Sequence, residues 1–487
     1  MNVTAKPVPA TLSENDHPYM NGAWTPVHEE VSAADMEVIG EIPADIDGIY
    51  IRNTENPVHD AIGRYHPFDG DGMLHMMRFS GGKAEYKNRF IRTRAFEAEQ
   101  EAGRSLWIGC MGNPAKSERK GWGAHGFVKD SSSTDVIVHN GSVLSTFWQC
   151  GEGYRLNPAT LETLGIEGWV PIDGISAHPK LDPNTGELLF FNYGTHAPYM
   201  HYGVVGADNK LKHYTPIDLP APRLPHDMCF SENYSILNDF PMYWPQAAIE
   251  QGFYVPIFDQ SMKSRFGIIP RMGSREDVKW FEADPTYVLH FTNAWEEGDE
   301  VIMDGYFQEQ PYPPPLEQFG DKYKAMAANI DLHSFKTHLH RWRFNMTTGE
   351  TREEILYDAE YVEFGTINQK HAGRKNRYVY DVVGKPDWFL FSGLRKHDLE
   401  TGDVQKYDFG EDRYGSEAPF VPRRRATGED DGYLVSFITD MAADRSECVL
   451  LDAKDISKGP VCRIILPHRI SSGTHTVWAD ADEFELA

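Results

Sequence analysis

Short apolar segments separated by turn-forming residues make up most of the chain. Residues 136–138 (VIV) and 143–144 (VL) flank the tetrapeptide HNGS at 139–142. An Asn-Gly pair between two apolar runs is a strong signal for a β-hairpin, because both residues tolerate the positive φ angles of a tight turn. The pattern predicts a protein built mainly of short antiparallel strands.

A second turn pattern recurs along the chain and indicates a structural repeat. An Asp or Asn is followed by Gly four positions later at 182–187 (DPNTGE), 345–350 (NMTTGE) and 398–403 (DLETGD), and eroded copies begin at Asn157 and Asp452. The copies at 345, 398 and 452 are 53 and 54 positions apart, but the spacing from 157 to 182 does not fit this period. Repeats of about 40–50 residues, each a small antiparallel sheet, are typical of a β-propeller. The repeat therefore predicts an all-β propeller without giving its number of blades.

The remaining segments add little regular structure to this prediction. Residues 1–30 are polar and read as a loose N-terminal arm, and no linker-like stretch interrupts residues 31–487, which we expect to form one propeller domain. Weak helical spacing at 317–332 and 247–258 predicts short helical excursions that cap one face of the blades.

Charge and cysteine content narrow the classes of partner. The net charge is −26 and the pI is near 5.2, so nucleic acid and anionic lipid surfaces are disfavoured. No run approaches the roughly 20 apolar residues that span a bilayer, and the N-terminus does not read as a signal peptide. The five cysteines are scattered and form no C-x-x-C pair. We expect a cytoplasmic protein with no integral membrane segment; peripheral membrane contact and oligomeric state stay open.

Four of the 20 histidines occur in similar settings. His178, His226, His290 and His475 each lie beside apolar, small or turn-forming residues, and they are 48, 64 and 185 positions apart. In a propeller, inward residues from several blades can meet on the axis, so such long spacings are compatible with one metal site. Taken singly, each is equally explained as a hydrogen-bonded histidine at the end of a strand.

Other motifs in the chain are weaker candidates for a metal or catalytic site than these four histidines. His338 and His340 form an H-x-H pair near His333, and His196 lies near His201; both groups read better as polar strand edges. The chain carries no G-x-S-x-G elbow, no P-loop and no NAD or flavin motif. The run FDGDGM at 68–73 lacks the ligand spacing of an EF-hand and reads as a tight turn.

Several motifs, standing in order between residues 18 and 478, resemble the carotenoid cleavage oxygenases, whose bacterial members include the lignostilbene dioxygenases. The motifs are IRNTENP at 51–57, FDGDGM at 68–73, SAHPK at 176–180, VKWF at 278–281, HFTNAWEE at 290–297, EAPFVPR at 417–423 and GTH at 473–475. One of them alone would be weak, but their joint order is specific.

The resemblance implies a fold, a metal and a reaction. The family fold is a seven-bladed propeller, and its Fe(II) would be held by His178, His226, His290 and His475. Glu363 and Glu417 would accept hydrogen bonds from the outer nitrogens of these ligands. The implied reaction uses O2 as co-substrate to split a carbon–carbon double bond of a small apolar alkene into two carbonyl products, without NAD or flavin.

Two departures from the family pattern bear on activity and substrate. Relatives typically have Trp-Glu-Gly-Gly where this chain has Trp148-Gln149-Cys150-Gly151, so Gln149 would replace a third glutamate and accept from a histidine without supplying charge. Met111 and Trp148, or Phe147 if the alignment shifts by one, stand where relatives that cleave phenolic alkenes hold a phenolate, and Leu289 is assigned to the same pocket. None of these side chains suits a phenolate, which favours an apocarotenoid or carotenoid over a stilbene or phenylpropene.

Two further functions stay open at the level of sequence. The first is a binding propeller without catalytic activity, in which the change to Gln149 would have silenced the site. The second is a metal-dependent isomerase or hydrolase on the same scaffold.

Overall fold

Short antiparallel strands form most of the structure. The computed structural model describes residues 1–110, 112–123, 126, 128–252 and 254–484. The strands of the first half are β1 (Asn2–Pro7), β2 (Glu29–Ala34), β3 (Val38–Gly40), β4 (Gly48–Glu55), β5 (Gly72–Ser80), β6 (Lys83–Phe90), β7 (Asp135–His139), β8 (Ser142–Thr146), β9 (Tyr154–Leu156), β10 (Thr163–Ile166), β11 (Lys180–Leu181), β12 (Leu188–Tyr193), β13 (Tyr199–Val205), β14 (Leu211–Asp218), β15 (Cys229–Phe230) and β16 (Tyr234–Asp239). Those of the second half are β17 (Met242–Tyr243), β18 (Ile257–Phe258), β19 (Ser264–Pro270), β20 (Lys279–Ala283), β21 (Phe291–Glu297), β22 (Glu300–Gln308), β23 (Thr337–Asn345), β24 (Thr351–Tyr357), β25 (Val362–Thr366), β26 (Tyr378–Gly384), β27 (Phe391–Asp398), β28 (Val404–Asp408), β29 (Arg413–Tyr414), β30 (Phe420–Pro422), β31 (Gly432–Asp440), β32 (Arg445–Asp452), β33 (Pro460–Ile465) and β34 (Gly473–Asp480).

Helices are short and few among these residues. The α-helices are α1 (Arg94–Ala102), α2 (Gln246–Ile249), α3 (Gly320–Ala328), α4 (Leu332–Phe335) and α5 (Ala481–Phe484). Single 3-10 turns lie at Pro18–Met20, Gly22–Trp24, Pro67–Asp69, Pro114–Lys116, Arg275–Asp277, Glu317–Phe319, Gln369–His371 and Ile456–Lys458. The helical segments predicted at 317–332 and 247–258 are found as α3 with its flanking turns and as α2, whereas α1 was not predicted. No helix in the described part of the chain is long and apolar enough to cross a bilayer.

The sheets are arranged as a seven-bladed β-propeller, which confirms the predicted fold class. Five blades are four-stranded sheets with the orders β10-β9-β8-β7, β11-β12-β13-β14, β15-β16-β19-β20, β21-β22-β23-β24 and β25-β26-β27-β28. The other two have the orders β1-β2-β6-β5-β4-β34 and β29-β31-β32-β33-β3, with β30 also paired to β31. Strand β34 from the end of the chain completes the blade that holds β4, and β3 pairs with β33. The two ends of the chain thus interlock in two blades and close the ring.

The recurring turn lies at hairpins in several blades. The side chains of Asn157, Asn345 and Asp398 accept hydrogen bonds from backbone N–H groups two and three residues ahead. These turns join the two outer strands of their blades, and the turn at Asp452 joins β32 and β33, which lie just inside the edge strand β3. The turn at Asp182 instead joins the inner pair β11 and β12. This different position explains why the spacing from 157 to 182 does not fit the repeat.

The first 30 residues are bound to the blades. Strand β1 pairs with β2, and both Tyr19 and Trp24 are buried. The indole Nε1 of Trp24 donates to the carbonyl of Phe389 (3.2 Å), and the backbone N–H of Phe389 donates to the Tyr19 hydroxyl (3.1 Å). The segment is therefore not loose, because its aromatic residues are buried against the propeller. The division of the chain at residue 30 stays a prediction.

Candidate metal centre

The four histidines singled out in the sequence meet at the propeller axis. Each offers one ring nitrogen, and these four atoms all lie within 4.8 Å of one another. All four residues are buried, and the ring centroids of neighbouring pairs are 4.4–5.2 Å apart. The long spacings along the chain thus correspond to one compact cluster, as expected for inward residues of different blades.

Every blade contributes one polar residue to this centre from its innermost strand or from the residues just before that strand. In order around the ring, these residues are His475 on β34, Asp135 on β7, His178 before β11, His226 before β15, His290 before β21, Glu363 on β25 and Glu417 before β30. Four blades supply imidazoles and three supply carboxylates.

Local backbone irregularities turn these side chains toward the axis. The pairing register shifts between Phe291 and Asn293, between Glu363 and Thr366, and between Gly473 and Thr476. Such β-bulges bend a strand and re-aim a side chain. His178 has φ 63°, a left-handed conformation that is uncommon for residues other than glycine and concentrates at functional sites.

Carboxylates hydrogen-bond two of the four rings, those of His290 and His475, and a third carboxylate lies near the ring of His178. The distance from Nδ1 to the nearest carboxylate oxygen is 2.6 Å for His290 and Glu363, 3.0 Å for His475 and Glu417, and 3.2 Å for His178 and Asp135. An Nδ1–H that donates to a carboxylate leaves the lone pair on Nε2 free. Since the Nε2 atoms of His178 and His226 lie 3.2 Å apart and that of His290 has no partner among the described residues, the free lone pairs converge.

The contact predicted for Gln149 is not made. Its Oε1 atom is buried without a hydrogen-bond partner, and the oxygen at Nδ1 of His178 belongs to Asp135. The physical reason is position in the blade: Asp135 begins the innermost strand β7, whereas Gln149 follows β8, the next strand outward. Asp135 was missed in the sequence, although its place at the start of the predicted Asn-Gly hairpin could have suggested it.

Burial and neighbouring charges set the protonation of the cluster. Burial, together with the other imidazoles, lowers the pKa of His178 and His290 well below the usual range and that of His226 to about 3. The pKa of His475 is raised, because Glu417, Asp135 and Asp227 outweigh the opposing effect of burial. Burial also raises the pKa of Asp135 to about 6 and that of Glu363 well above its ordinary value. Neutral imidazoles are the form that binds a metal cation.

A buried ion pair ties the histidine segments to one another. Lys180, two residues after His178, places its Nζ 2.7 Å from Oδ1 of Asp227, which follows His226. The Oδ2 atom of Asp227 accepts the backbone N–H of Phe291, which follows His290 (2.9 Å). One carboxylate therefore connects three of the four segments that carry the cluster.

The donor set suits a divalent transition metal. Four imidazoles with converging lone pairs, two of them hydrogen-bonded to carboxylates and a third facing one, form a preorganised nitrogen site whose surrounding acids offset the charge of a cation. The unpartnered Nε2 of His290 would be costly in a buried site that held nothing.

Comparison with known proteins gives the family. The family model described as "Retinal pigment epithelial membrane protein" matches residues 24–480. The chain is 33% identical to carotenoid 9,10(9′,10′)-cleavage dioxygenase 1 of Arabidopsis thaliana over 499 residues, which cover 96% of this chain and 90% of that protein. The chain belongs to the carotenoid cleavage oxygenase family. It is accordingly an enzyme of the dioxygenase class.

Bacterial relatives in the carotenoid cleavage oxygenase family match almost the whole chain as well. Isoeugenol monooxygenase of Pseudomonas nitroreducens is 31% identical over 490 residues, covering 96% of this chain and 99% of that protein. The crystal structure of Pseudomonas brassicacearum lignostilbene dioxygenase superposes with a TM-score of 0.83 at 26% identity, covering 96% of this chain and 100% of that one. Relatives named for carotenoid cleavage and for isoeugenol oxidation thus share similar identities with this chain, 33% and 31%.

Two cavities reach the histidines from different sides. The larger, about 660 Å³, is lined by Asp135, Lys180, Asp227, Asn293 and Glu417 among others, and touches His178, His290 and His475. The smaller, about 50 Å³, touches His226, His290 and His475 and has mostly apolar walls, formed by Phe68, Trp148, Leu289, Ile330, Phe335, Phe364 and Phe389. Ligand pockets in proteins usually measure roughly 300–1,000 Å³, so the smaller cavity has room for the reacting part of an alkene and not for a whole polyene.

Only some of the residues that were predicted for the substrate pocket line this apolar cavity. Trp148 and Leu289 line it, and Phe147 lies behind Trp148 with the ring centroids 6.4 Å apart. Met111 lies outside the described residues. Sequence reasoning missed the other aromatic walls and the polar residues Glu55, Thr134, Asn329 and Thr474, which also line the cavity.

The rival histidine groups do not form comparable clusters. In the described ranges, the four axial histidines are the group of three or more potential ligands that comes together. His340 Nε2 faces Glu353 (3.2 Å) on a neighbouring strand, and His201 Nδ1 faces Asn192 (3.1 Å). Both contacts are those of polar residues in a sheet.

Proposed function

We propose that His178, His226, His290 and His475 bind Fe(II) and that the chain uses O2 to cleave a carbon–carbon double bond of an apocarotenoid or carotenoid. The observation that carries this proposal is the convergence of four buried imidazoles, three of which have an outer nitrogen that faces Asp135, Glu363 or Glu417. Held by these four residues, a bound Fe(II) would supply the activation of O2 that the reaction with an alkene needs.

The stoichiometry explains why no other redox cofactor is needed. The double bond breaks completely, and each of its two carbons receives one oxygen atom of O2 as a carbonyl. The four electrons that reduce O2 come from the alkene, so no nicotinamide or flavin takes part.

The protein's own residues position the substrate and exclude water. Phe364 packs on the rings of His290 and His475, with centroids 4.5 and 5.0 Å away, and Trp148 lies 6.3 Å from the ring of His226. These aromatic walls favour a flat, conjugated and largely apolar substrate. The name of the Arabidopsis relative, a carotenoid-cleaving dioxygenase, agrees with this choice.

A stilbene or phenylpropene is the second candidate substrate. The observation that favours it is the buried carboxyl group of Glu55 in the wall of the small cavity, since a fully apolar polyene offers this group no partner. Isoeugenol monooxygenase and lignostilbene dioxygenase are relatives whose names point to phenolic alkenes.

Turnover on matched substrates tests the proposal. The protein would be loaded with Fe(II) without oxygen and then given O2 together with an apocarotenal or a hydroxystilbene. Two aldehyde products, each carrying ¹⁸O from ¹⁸O2, would support dioxygenase cleavage and identify the substrate class. Iron binding without O2 uptake on either substrate would favour a silent binding propeller, and an altered but uncleaved product would favour an isomerase or hydrolase.

A further inference from the structure

Glu55 brings an ionisable group into the apolar cavity beside the histidines. It is the last residue of β4 and is only 2% exposed. Its side chain lines the same small cavity as His226, His290 and His475. Phe68 from the neighbouring turn lines this cavity too, and Gly70 of that turn packs against the backbone of Glu55 so closely that a Cβ there would lie 2.9 Å from its carbonyl carbon. Two sequence motifs, IRNTENP and FDGDGM, thus meet to form one wall.

Polar atoms in this wall lack partners within the protein. Oε1 of Glu55 is 3.4 Å from the Thr474 hydroxyl, which is a long contact, and Oε2 has no partner among the described residues. The indole Nε1 of Trp148, in the same cavity, is also buried without a partner. Buried polar atoms are nearly always hydrogen-bonded, and exceptions at a cavity wall are the places where a ligand supplies the missing partner.

Resting on the proposed function, we propose that Glu55, with Trp148, binds a hydroxyl group of the alkene substrate and so makes the enzyme selective for hydroxylated alkenes. A hydroxyl group can donate to a Glu55 carboxyl oxygen and can accept from an indole N–H, so it is able to supply the partner that each of these atoms lacks. Glu55 acts here as a specificity-determining residue and takes no part in breaking the double bond.

The hydrogen-bonding capacity of the Glu55 carboxyl group also suits a neutral hydroxyl. Burial raises the pKa of Glu55 to about 8, so the carboxyl group holds its proton near neutral pH. A protonated carboxyl both donates and accepts, as a hydroxyl does. A phenolate in this low-dielectric site would in addition be repelled by the carboxylate form of Glu55.

Matched pairs of probes test this selectivity. One pair is trans-4-hydroxystilbene and trans-4-methoxystilbene, and the other is an apocarotenal with a ring hydroxyl and its deoxy counterpart. Equilibrium dialysis gives the Kd of each probe, and product analysis gives KM and kcat. For the unmodified protein we expect at least about tenfold tighter binding of the hydroxylated member in one pair, because a site built to hydrogen-bond a hydroxyl discriminates against the analogue without one. The pair that shows the preference identifies the scaffold carrying the hydroxyl.

Variants assign the preference to Glu55. Glu55→Leu should reduce it to about twofold or less by weakening binding of the hydroxylated probe, with KM changing more than kcat. Glu55→Gln retains a donor and an acceptor at the same place and should keep most of the preference. Phe68→Leu, a change in the same wall without loss of a polar group, should affect both members of a pair alike.

The outcomes separate this inference from the proposed function. Equal Kd values for both members of both pairs in the unmodified protein would overturn the role of Glu55, even if both are cleaved. A full preference in Glu55→Leu would overturn it as well. If no probe is cleaved, the proposed function fails, but a hydroxyl preference in dialysis that Glu55→Leu abolishes would still support the binding site.

Discussion

The carboxylate of Asp135 lies 3.2 Å from Nδ1 of His178, although the family pattern points to residue 149 and not to Asp135. This contact restores the number of carboxylates around the cluster to three, which a neutral Gln149 would not. Asp135, on the innermost strand of its blade, thus supplies a charge at the cluster that Gln149 does not.

Replacing this carboxylate should weaken metal binding. Asp135→Asn keeps the shape but removes the negative charge that faces Nδ1 of His178, and changes of this kind beside a ligand cost roughly 10- to 100-fold in metal affinity. Competition between the protein and a chelator for Fe(II) under anaerobic conditions measures the change. Gln149→Met, which alters a buried side chain of similar size away from the histidine, is the control and should leave affinity within about twofold. A loss caused by Gln149→Met and not by Asp135→Asn would reverse the assignment.

The Lys180–Asp227 ion pair should contribute to stability as well as to the geometry of the site. Lys180→Met leaves the Asp227 carboxylate buried without its cation, for which about 3–5 kcal/mol of unfolding free energy is the usual loss. Asp227→Asn removes the charge while its amide oxygen can still accept the backbone N–H of Phe291. Denaturant unfolding of both single variants and the double variant gives the coupling energy. Additive effects would mean that the ion pair does not hold the segments together.

The repeated turn at Asp398 should make the free energy of unfolding depend on pH in the acid range. The guanidinium of Arg377 makes two hydrogen bonds to Asp398 (2.9 and 2.6 Å) and lowers the pKa of that carboxyl group from 3.8 to about 2. The stabilisation is thus complete above about pH 4 and is lost as the pH falls through about 2. Because Arg377 is partly exposed, solvent screening makes this stabilisation small.

Comparing Asp398→Asn with the unmodified protein isolates this contribution. The asparagine keeps the hydrogen bonds to the turn backbone but cannot titrate. The difference in unfolding free energy between the two proteins should be constant from pH 7 to about 5 and shrink toward pH 2. A difference that stays the same over the whole range would show that the charge of Asp398 does not stabilise the fold.

The sequence alone predicted the class of fold, but it did not by itself identify the residues of the metal cluster. The Asn-Gly hairpin is confirmed with positive φ at Asn140 (48°) and Gly141 (72°), because this turn is specified by the two residues themselves. The repeat predicted a propeller but not its blade count, since the turn at Asp182 occupies an inner hairpin and its neighbours along the chain occupy outer ones. The assignment of the four histidines depended on the family resemblance, because their spacing alone fits isolated strand-end residues.

The unpredicted residues depend on contacts between distant segments. Asp135 contacts His178 only because β7 and β11 are innermost strands of adjacent blades. Glu55 appears in the sequence as the polar end of a strand, and only the closure of the ring by β34 brings it near Thr474 and the histidines. Neither relationship leaves a periodic signal in the sequence.

Removing one histidine should abolish iron binding without unfolding the chain. His290→Ala takes away a ring whose Nε2 faces the other ligands and leaves Glu363 without its partner. We expect less than about a tenth of the iron content of the unmodified protein and no alkene cleavage. His340→Ala removes an equally buried histidine from an outer blade position and should retain iron. Metal analysis measures the iron content of the two variants, and circular dichroism shows whether they are folded. Full iron content in His290→Ala would mean that His290 is not an iron ligand. Loss of iron in His340→Ala would mean that the metal binds at a different site.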